Sequence, residues 1–486
     1  MSEVYDFIVV GGGISGISCA QKLSSIAEKT YKILVLSASP LVKSITNFKP
    51  VTKFLHTFDV KENDASIFSQ THQNLTILSK FVSDLDSENH VVKCIDGSEY
   101  KYKKLCICSG GHPKLIDSNN PYVLGIRDTE TVHNFQSRLK NARQIVIVGN
   151  GGIATELVHK IQNCNIIWTI RDSSISHTFF DSHSAKFFEQ SLNEQNSPLI
   201  ENNLSKKAKY TISKIELNGS EDKKPVTGSA LGPDWSLNLL IKGANKESRK
   251  VLVEYKTEVR SIMLKEHLVE KNPDLIEKFG DWPVYVELTD QKFYGCDFIV
   301  SATGVKPSVD VFIKNNKFDL GEDGGLKVNE RMETNIKDVY AAGDACTASW
   351  DISPHWFQMR LWSQAFQMGD YAARSMFYSL NNLTISLDFC FEMFAHITSF
   401  FNYKIVLLGN YDAKGLDNNY ELLIRCTEGV EYVKIVIYNG KVQGALFIGE
   451  TDLEETFENL ILNQIDVSQY GEDLINPDID IEDYFD

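Results

Sequence analysis

Two glycine-rich turns of the same kind constrain the fold of this chain most strongly. The first spans residues 11–16 (GGGISG), directly after the apolar segment 5–10 and before a helical segment. The second spans residues 149–154 (GNGGIA), directly after the apolar segment 144–148. A G-x-G-x-x-G/A turn between a strand and a helix holds a pyrophosphate at the helix N-terminus. Two such units predict a chain that binds two dinucleotides.

The three small residues of each turn have separate roles. The first permits the tight turn, the second lets the pyrophosphate approach the backbone, and the third lets the helix pack closely on the strand. These positions are Gly11, Gly13 and Gly16 in the first turn, and Gly149, Gly151 and Ala154 in the second. An ordinary strand-turn-helix corner is the alternative for a single turn, and its repetition makes coincidence a poor explanation.

Length and composition indicate a multidomain chain of the cell interior. At 486 residues the chain is long enough for roughly three domains. No apolar run approaches the ~18 residues of a membrane span, and no basic segment precedes an apolar one at the N-terminus. Nine scattered cysteines fit reduced thiols better than a disulfide framework. We therefore expect a protein of the cytosol or nucleus.

The net charge of −16 is concentrated in the C-terminal end of the chain. Residues 450–486 contain 13 acidic residues and no lysine or arginine. The remainder is nearly neutral, which argues against direct nucleic-acid binding by the whole protein. We expect the last residues, 466–486, to form an extended acidic tail. Either this tail docks on a partner or it only keeps the protein soluble.

Further motifs follow in a fixed order along the chain. They are 108–110 (CSG), 124–128 (LGIRD), Glu156, 301–304 (SATG) and 334–344 (TNIKDVYAAGD). Together with the two turns they make the sequence similar to the two-dinucleotide-binding flavoproteins, the pyridine nucleotide-disulfide oxidoreductase superfamily. The resemblance implies an α/β fold with two Rossmann-like dinucleotide-binding domains, one for FAD and one for NAD(P), plus an α+β C-terminal domain and an acidic tail.

The resemblance implies five consecutive segments. They are 1–120 (FAD-binding domain, first part), 121–300 (NAD(P)-binding domain, with an insertion near 205–250), 301–384 (FAD-binding domain, second part), 385–465 (C-terminal α+β domain) and 466–486 (acidic tail). The insertion has ten basic and five acidic residues. A solvated loop is one explanation of this charge, and a surface for RNA or an acidic partner is the other.

The resemblance also implies the cofactors and the residues that bind them. FAD is expected on Gly11, Gly13, Ser15, Gly16, Ser37, Lys53, Val82, Ser109, Gly110, Gly343 and Asp344. NAD(P)H is expected on Gly149, Gly151, Ala154, Glu156, Arg171 and Gly304. A helix over 354–376 is expected to aim its positive end at the flavin ring. No metal-binding motif is visible.

The sequence departs from this superfamily at the redox-active cysteines. Disulfide reductases carry them soon after the first turn, whereas residues 20–93 here contain no cysteine. A thiol relay at that position is therefore excluded. Cys346 is the remaining candidate, with a packed small residue as the alternative. We expect Cys106 and Cys108, which point the same way on one strand, to be two buried thiols.

The positions that bind the adenosine riboses are also unusual. Ser37 stands where an acidic residue is expected after the first turn, and a hydroxyl would bind more weakly. Arg171 follows the second turn and would suit the 2′-phosphate of NADPH, although Asp172 adjoins it. We expect both NADH and NADPH to bind.

The expected catalytic pair consists of Lys53 and Glu156. Relatives in the superfamily place a lysine near flavin N5 and pair it with the glutamate that follows the second turn. An ammonium there favours the reduced flavin, and the carboxylate positions it. We therefore expect an ion pair between Lys53 and Glu156, with a solvated lysine as the alternative. His396, early in the C-terminal domain, is read as structural.

A closer resemblance connects the chain to animal members of the superfamily. It is carried by residues 38–43, 46–49, 228–235 and 449–456. It implies a flavoprotein of nucleus and cytoplasm that supports muscle fibres and shields the tRNA ligase complex from oxidation. The sequence thus favours an FAD-dependent oxidoreductase that oxidises NAD(P)H without a redox-active disulfide, in the oxidative stress response. The alternative is an NAD(P)H-gated binding protein that protects the tRNA ligase complex, with the tail as its docking element.

Overall fold

The computed structural model describes residues 3–70, 72–193, 210–211, 235, 241–246, 249–271 and 274–485. Most of the predicted insertion near 205–250 lies outside these residues. Of its described residues, 210–211 form a short strand beside the strand that contains Val60. No helix in the described part of the chain is both long and apolar enough to cross a membrane.

The first 113 residues supply most of a mixed sheet. The elements are β1 (Val4–Val10), α1 (Ile14–Ile26), β2 (Ile33–Ser37), β3 (Leu41–Pro50), β4 (His56–Asp64), α2 (Ala65–Gln70), β5 (Leu75–Ser79), β6 (Val82–Asp86), β7 (Val91–Cys94), β8 (Glu99–Ile107) and β9 (Gly111–Pro113). The strand order is β5-β2-β1-β8-β7-β6, in which β5, β2, β1 and β8 pair in parallel and β7 and β6 pair antiparallel. Residues 7–10 of β1 and 33–36 of β2 are buried and apolar, as expected where both faces of a parallel sheet are covered. A hairpin turn at Asp96 and Gly97 joins β7 to β8, with Gly97 at φ +82.

The middle of the chain builds a second parallel sheet. Its elements are β10 (Val123–Leu124), α3 (Thr129–Leu139), β11 (Gln144–Val148), α4 (Gly152–Lys160), β12 (Asn165–Thr169), α5 (Ser182–Asn193), β13 (Tyr210–Thr211), β14 (Val251–Glu254), β15 (Val259–Leu264), α6 (Lys265–Lys271), α7 (Asp274–Phe279), β16 (Val284–Leu288), β17 (Phe293–Cys296) and β18 (Phe298–Ser301). The order is β10-β18-β11-β12-β14, and β15, β16 and β17 form a separate antiparallel sheet. The sequence therefore repeats one architecture, strand, glycine turn, helix and strand, in two sheets.

The next segment returns to the first sheet. Its elements are β19 (Val305–Pro307), α8 (Asp310–Ile313), β20 (Leu326–Val328), β21 (Val339–Ala341), β22 (Cys346–Ala348) and α9 (Trp362–Leu380). Strand β21 pairs with β8, so the first unit is built from two separated stretches of chain. Helix α9 packs on α1 without a gap, because a Cβ atom at Gly369 would lie 2.2 Å from the carbonyl oxygen of Ser15.

Helix α9 begins eight residues later than the predicted 354–376, and this boundary of the prediction is wrong. Leu361, just before the helix, is extended, with φ −121 and ψ 153. The side chain of Gln364 explains the shift, because it accepts a hydrogen bond from the Met359 N–H (2.7 Å) and donates one to the Phe357 carbonyl (2.8 Å). These bonds hold residues 357–361 in a non-helical conformation.

The C-terminal unit is an antiparallel sheet covered by one helix. Its elements are β23 (Ala395–Phe400), β24 (Tyr403–Gly409), β25 (Glu421–Thr427), β26 (Glu431–Tyr438), β27 (Lys441–Ile448) and α10 (Glu454–Asn463), in the order β23-β24-β27-β26-β25. The dipeptide Asn439-Gly440 is typical of a two-residue hairpin turn, and both residues have the positive φ that this turn requires. His396 is buried and contacts the Ser363 hydroxyl (3.1 Å), and burial lowers its pKa to about 3. This environment agrees with a structural histidine.

The prediction of an extended acidic tail is wrong. Residues Gly471–Ile475 and Ile481–Tyr484 form short 3-10 turns that pack against α10 and the sheet. Leu474 and Ile481 are buried, and the Arg425 guanidinium donates to the Ile475 carbonyl. The apolar residues recur between the acidic ones, so the segment buries one side while its carboxylates face solvent. The prediction considered only the high charge of the segment and therefore missed this amphipathic pattern.

Leu474→Ala tests the packing of the tail. Deleting a fully buried leucine side chain costs about 2–5 kcal/mol, so we expect hydrogen exchange to accelerate in residues 466–485 while the rest of the chain keeps its protection. Leu383→Ala is the control, because Leu383 is 56% exposed and its loss should change nothing. Equal exchange in both variants would contradict the packed tail.

Candidate active site

One cavity of about 1370 Å³ joins the two glycine turns. It is lined by residues 10–15 of the first turn and by residues 148–153 of the second. A single small-molecule site usually has a volume of about 300–1000 Å³. The cavity therefore has room for two ligands that meet end to end.

The first turn is seated on the end of β8. Gly11 has φ +127, and a Cβ atom there would lie 2.1 Å from the Cys108 carbonyl oxygen. A Cβ atom at Gly16 would lie equally close to the Gly11 carbonyl oxygen, at 2.0 Å. No side chain caps α1, whose N-cap is Gly13. Since the first N–H groups of a helix lack intrahelical partners, this end of the cavity fits a pyrophosphate.

The second turn repeats this geometry at the end of β18. Gly149 has φ +123, and a Cβ atom there would lie 2.2 Å from the Ala302 carbonyl oxygen. No side chain caps α4, whose N-cap is Gly151. Ala154 is buried against the sheet. The second turn therefore fits a second pyrophosphate, at the other end of the same cavity.

The structure separates the predicted site residues into two groups, with one exception. Those that line the cavity are Gly11, Gly13, Ser15, Ser37, Val82, Ser109, Gly110, Gly149, Gly151, Glu156, Arg171, Gly304 and Asp344. Those that pack the turns from behind are Gly16, Ala154 and Gly343. Lys53 belongs to neither group.

Lys53 and Glu156 are not brought together, so the predicted ion pair is wrong. Lys53 lies in the turn between β3 and β4, with its ammonium 5.3 Å from the ring centroids of Phe54 and Phe389. Glu458 of α10 holds this turn, because its carboxylate accepts a hydrogen bond from the Phe54 N–H (3.2 Å). The turn is thereby tied to the C-terminal unit, away from the cavity that Glu156 lines.

Glu156 is instead bonded to a residue of the insertion that the sequence analysis did not select. The indole N–H of Trp235 donates to a carboxylate oxygen of Glu156. Trp235 is 4% exposed and lines the cavity with Phe179 and Phe400. No periodic pattern surrounds Trp235 in the sequence, and the only local signal for it is its place at the end of the 228–235 stretch that carries the closer resemblance.

The first nucleotide site also contains charged side chains, Asp344 and Arg127. Asp344 follows Gly343, and burial raises the pKa of its carboxyl, while Arg360 and Arg127 oppose that shift. Arg127 also lines the cavity, and its buried Nε has no hydrogen-bond partner among the described residues. This donor fits an oxygen of a bound cofactor. Its position in the 124–128 motif was the only sequence signal for it.

Ser37 is already engaged in the structure. Its hydroxyl is buried and donates to the Ser39 carbonyl (2.7 Å). A Cβ atom at Gly12 would lie 2.4 Å from this hydroxyl oxygen, so the turn rests directly on Ser37. The hydroxyl oxygen can therefore only accept a hydrogen bond from a ribose.

The cysteines near the first turn are buried thiols. The Sγ atoms of Cys106 and Cys108 lie 3.5 Å apart, and the pKa of each is raised. Burial also raises the pKa of Cys346, which donates to the Gly343 carbonyl (3.3 Å). A thiol with a raised pKa is a poor nucleophile. No group of three metal-ligating side chains occurs in the described ranges.

Two Rossmann-like units that open into one cavity define a flavin- and pyridine-nucleotide-dependent oxidoreductase. The family model of the pyridine nucleotide-disulphide oxidoreductases matches residues 5–224 and 244–369. The chain belongs to this family, and its cofactors are FAD and NAD(P)H.

The chain is similar to curated proteins of this family over its full length. The chain is 51% identical over 493 residues to pyridine nucleotide-disulfide oxidoreductase domain-containing protein 1 of Rattus norvegicus, covering 99% of this chain and 98% of the rat protein. It is 50% identical over 491 residues to the protein of the same name in Homo sapiens, with the same coverage. A ferredoxin reductase from Rhodopseudomonas palustris has a TM-score of 0.68 at 15% identity over 99% of both chains. That structural likeness shows the fold alone.

Gly11→Ala tests the first turn. A methyl group there would meet the Cys108 carbonyl, and strain of this kind costs about 1–3 kcal/mol. We expect flavin affinity to fall about tenfold or more, measured as the flavin content of the purified protein. Gly97→Ala is the matched control. Gly97 also has positive φ, but a Cβ atom added there would have no neighbouring heavy atom within 4 Å. Equal flavin content in the two variants would contradict the role of Gly11.

Proposed function

We propose that the chain oxidises NAD(P)H and passes the electrons to an external acceptor, without a redox-active disulfide, as part of the oxidative stress response. The observation that carries this proposal is the single cavity between the two glycine turns. Oxygen, a quinone-like small molecule or another protein would be the acceptor, because the buried thiols beside the first turn offer no relay.

The residues of the cavity would bind and orient the two cofactors. The uncapped N-termini of α1 and α4 would hold the pyrophosphates, and Asp344 would accept hydrogen bonds from the ribityl end of FAD. The two cofactors would supply the hydride-transfer chemistry between nicotinamide and flavin once held there. The protein would contribute position, exclusion of water and the charges of Arg127 and Glu156 near the reacting ends.

Arg171 would favour NADPH alongside NADH. It lies exposed at the edge of the cavity. The neighbouring Asp172 carboxylate is turned to Asn150, whose side-chain N–H donates to it (2.8 Å). The guanidinium is therefore the charged group that a 2′-phosphate would meet, and Arg binds phosphate well through paired hydrogen bonds.

Anaerobic titration of the purified flavoprotein with NADPH tests the proposal. We expect the visible flavin absorbance to bleach with about one equivalent of NADPH, because hydride transfer is stoichiometric. Recovery within seconds after air is admitted would identify oxygen as an acceptor. A flavin that NADPH does not reduce would contradict the proposed activity.

Two variants test which residues contribute to NADPH binding and to flavin reduction. Arg171→Ala should weaken NADPH binding about tenfold and leave NADH binding unchanged. Lys53→Ala should reduce at the wild-type rate, because Lys53 lies outside the cavity. Equal loss of NADH and NADPH binding in the arginine variant would rule out a 2′-phosphate contact.

A second proposed function is NAD(P)H-gated binding to the tRNA ligase complex, in cytoplasm and nucleus, to protect it from oxidation. The observation that favours it is the folded tail, in which the carboxylates point outward. Glu472, Asp473, Asp478, Glu482 and Asp483 are all exposed, while Leu474 and Ile481 anchor the segment. A fixed acidic surface would suit a basic or metal-bearing site on that partner.

Removal of residues 466–486 tests the tail as the docking element. We expect the shortened protein to keep its flavin and to lose binding to the purified tRNA ligase complex, with the full chain binding more tightly when NADPH is present. Charge reversal of exposed tail carboxylates should weaken binding without unfolding the tail. Unchanged affinity after removal of the tail would contradict this second function.

A further inference from the structure

The contact between Trp235 and Glu156 lies where the two nucleotide sites meet. Glu156 projects from the second turn of α4, whose N-terminus forms the second pyrophosphate site. Arg171, expected at the adenosine ribose, follows the neighbouring strand β12. Because the pyrophosphate lies between the two ends of a dinucleotide, Glu156 and Arg171 can serve opposite ends. Glu156 then belongs to the nicotinamide end.

The aromatic residues around Trp235 connect this position to the flavin unit. Trp235, Phe179 and Phe400 belong to one apolar cluster, and Phe179 and Phe400 have ring centroids 5.0 Å apart. Trp362 and Ala365, from the first turn of α9, pack against the same cluster and line the same cavity. Helix α9 belongs to the unit that carries the first glycine turn. The cluster therefore forms a wall between the two cofactor sites.

The hydrogen bond itself fixes the carboxylate. An indole N–H has no acceptor function and one direction of donation, so it holds the Glu156 oxygen in a defined place. A hydrogen bond to a charged group contributes about 1.5–3 kcal/mol. The family resemblance implied a lysine at this carboxylate, and the structure places a neutral donor from a different segment there.

We propose that Trp235 is a positioning residue of the nicotinamide subsite. Its N–H orients the Glu156 carboxylate toward the carboxamide of the nicotinamide, and its ring extends the aromatic wall against which the nicotinamide packs. This inference rests on the proposed NAD(P)H oxidation. The ligand class is the nicotinamide riboside end of NAD(P)H, and the oxidised coenzyme NADP⁺ is the probe, because it binds without reducing the flavin.

The direct test is an NMR titration of the intact flavoprotein with NADP⁺. The chain has six tryptophans, so labelling their indole nitrogens gives a short spectrum in which Trp235→Phe identifies the Trp235 signal. We expect this signal to lie downfield, as donation to a carboxylate requires, and to shift as NADP⁺ saturates the site. Glu156→Gln should move it upfield in the free protein. A Trp235 signal that ignores saturating NADP⁺, with binding confirmed by calorimetry, would overturn the proposal.

The energetic test uses paired substitutions. Trp235→Phe keeps an aromatic ring and removes the N–H, so we expect the NADP⁺ dissociation constant to rise about tenfold at unchanged flavin content. Trp282→Phe is the matched control, because Trp282 donates to the Phe279 carbonyl (2.9 Å) and does not line the cavity. The double variant with Glu156→Gln should bind NADP⁺ as Glu156→Gln alone does, since Trp235 acts through Glu156. Fully additive losses would overturn the positioning role.

The outcomes separate this inference from the proposed function. If NADPH reduces the wild type and Trp235→Phe equally fast and binds both equally well, the inference fails and the oxidoreductase stands. If NADPH never reduces the wild-type flavin while NADP⁺ still shifts the Trp235 signal, the proposed function fails and the subsite stands. If Trp235→Phe loses its flavin, the wild-type and Glu156→Gln proteins test the inference without it. The lowest-field indole signal of each is then followed through the NADP⁺ titration.

Discussion

The close approach of two backbones in each nucleotide unit is the constraint on which the rest of the structure depends. A Cβ atom would lie 2.1 Å from a carbonyl oxygen at Gly11 and 2.2 Å from one at Gly149. No side chain fits there, so each turn is seated at the carboxyl end of a neighbouring strand, β8 or β18. Both helix N-termini therefore open toward one cavity. The direction in which each cofactor enters follows from backbone packing, and the side chains then adjust affinity and specificity.

The parts of the fold that the sequence predicted correctly are formed by residues near each other in the chain. The apolar run before the first turn forms β1, and the first glycine of each turn, Gly11 or Gly149, takes the positive φ that its role requires. Asn439 and Gly440 form the expected hairpin for the same reason, since two left-handed residues in a row suit few other structures. In each case local sterics decide the conformation, so a single sequence is sufficient to predict it.

The parts that the sequence analysis missed depend on contacts between distant residues. Lys53 had the right chemistry for a flavin site, but Glu458 of α10 holds its turn against the C-terminal unit. The carboxylate of Glu156 was selected correctly as a cavity residue, whereas its partner Trp235 comes from a segment with no periodic pattern. The tail looked extended because its charge is high, and only the sheet and α10 give Leu474 a surface to pack on. No local pattern encodes these partners.

Burial of the thiols decides how electrons could leave a reduced flavin in this fold. Disulfide reductases move electrons through a thiolate beside the flavin, which requires a lowered pKa and access. Here Cys106 and Cys108 lie beneath the first turn, both buried and both with raised pKa. On the proposed function, an acceptor must therefore reach the flavin through the cavity that also admits the nicotinamide. Donor and acceptor then compete for one entrance, so a bound nucleotide would protect the reduced flavin from acceptors. The same geometry thus allows turnover when the nucleotide leaves and a stable reduced state while it stays.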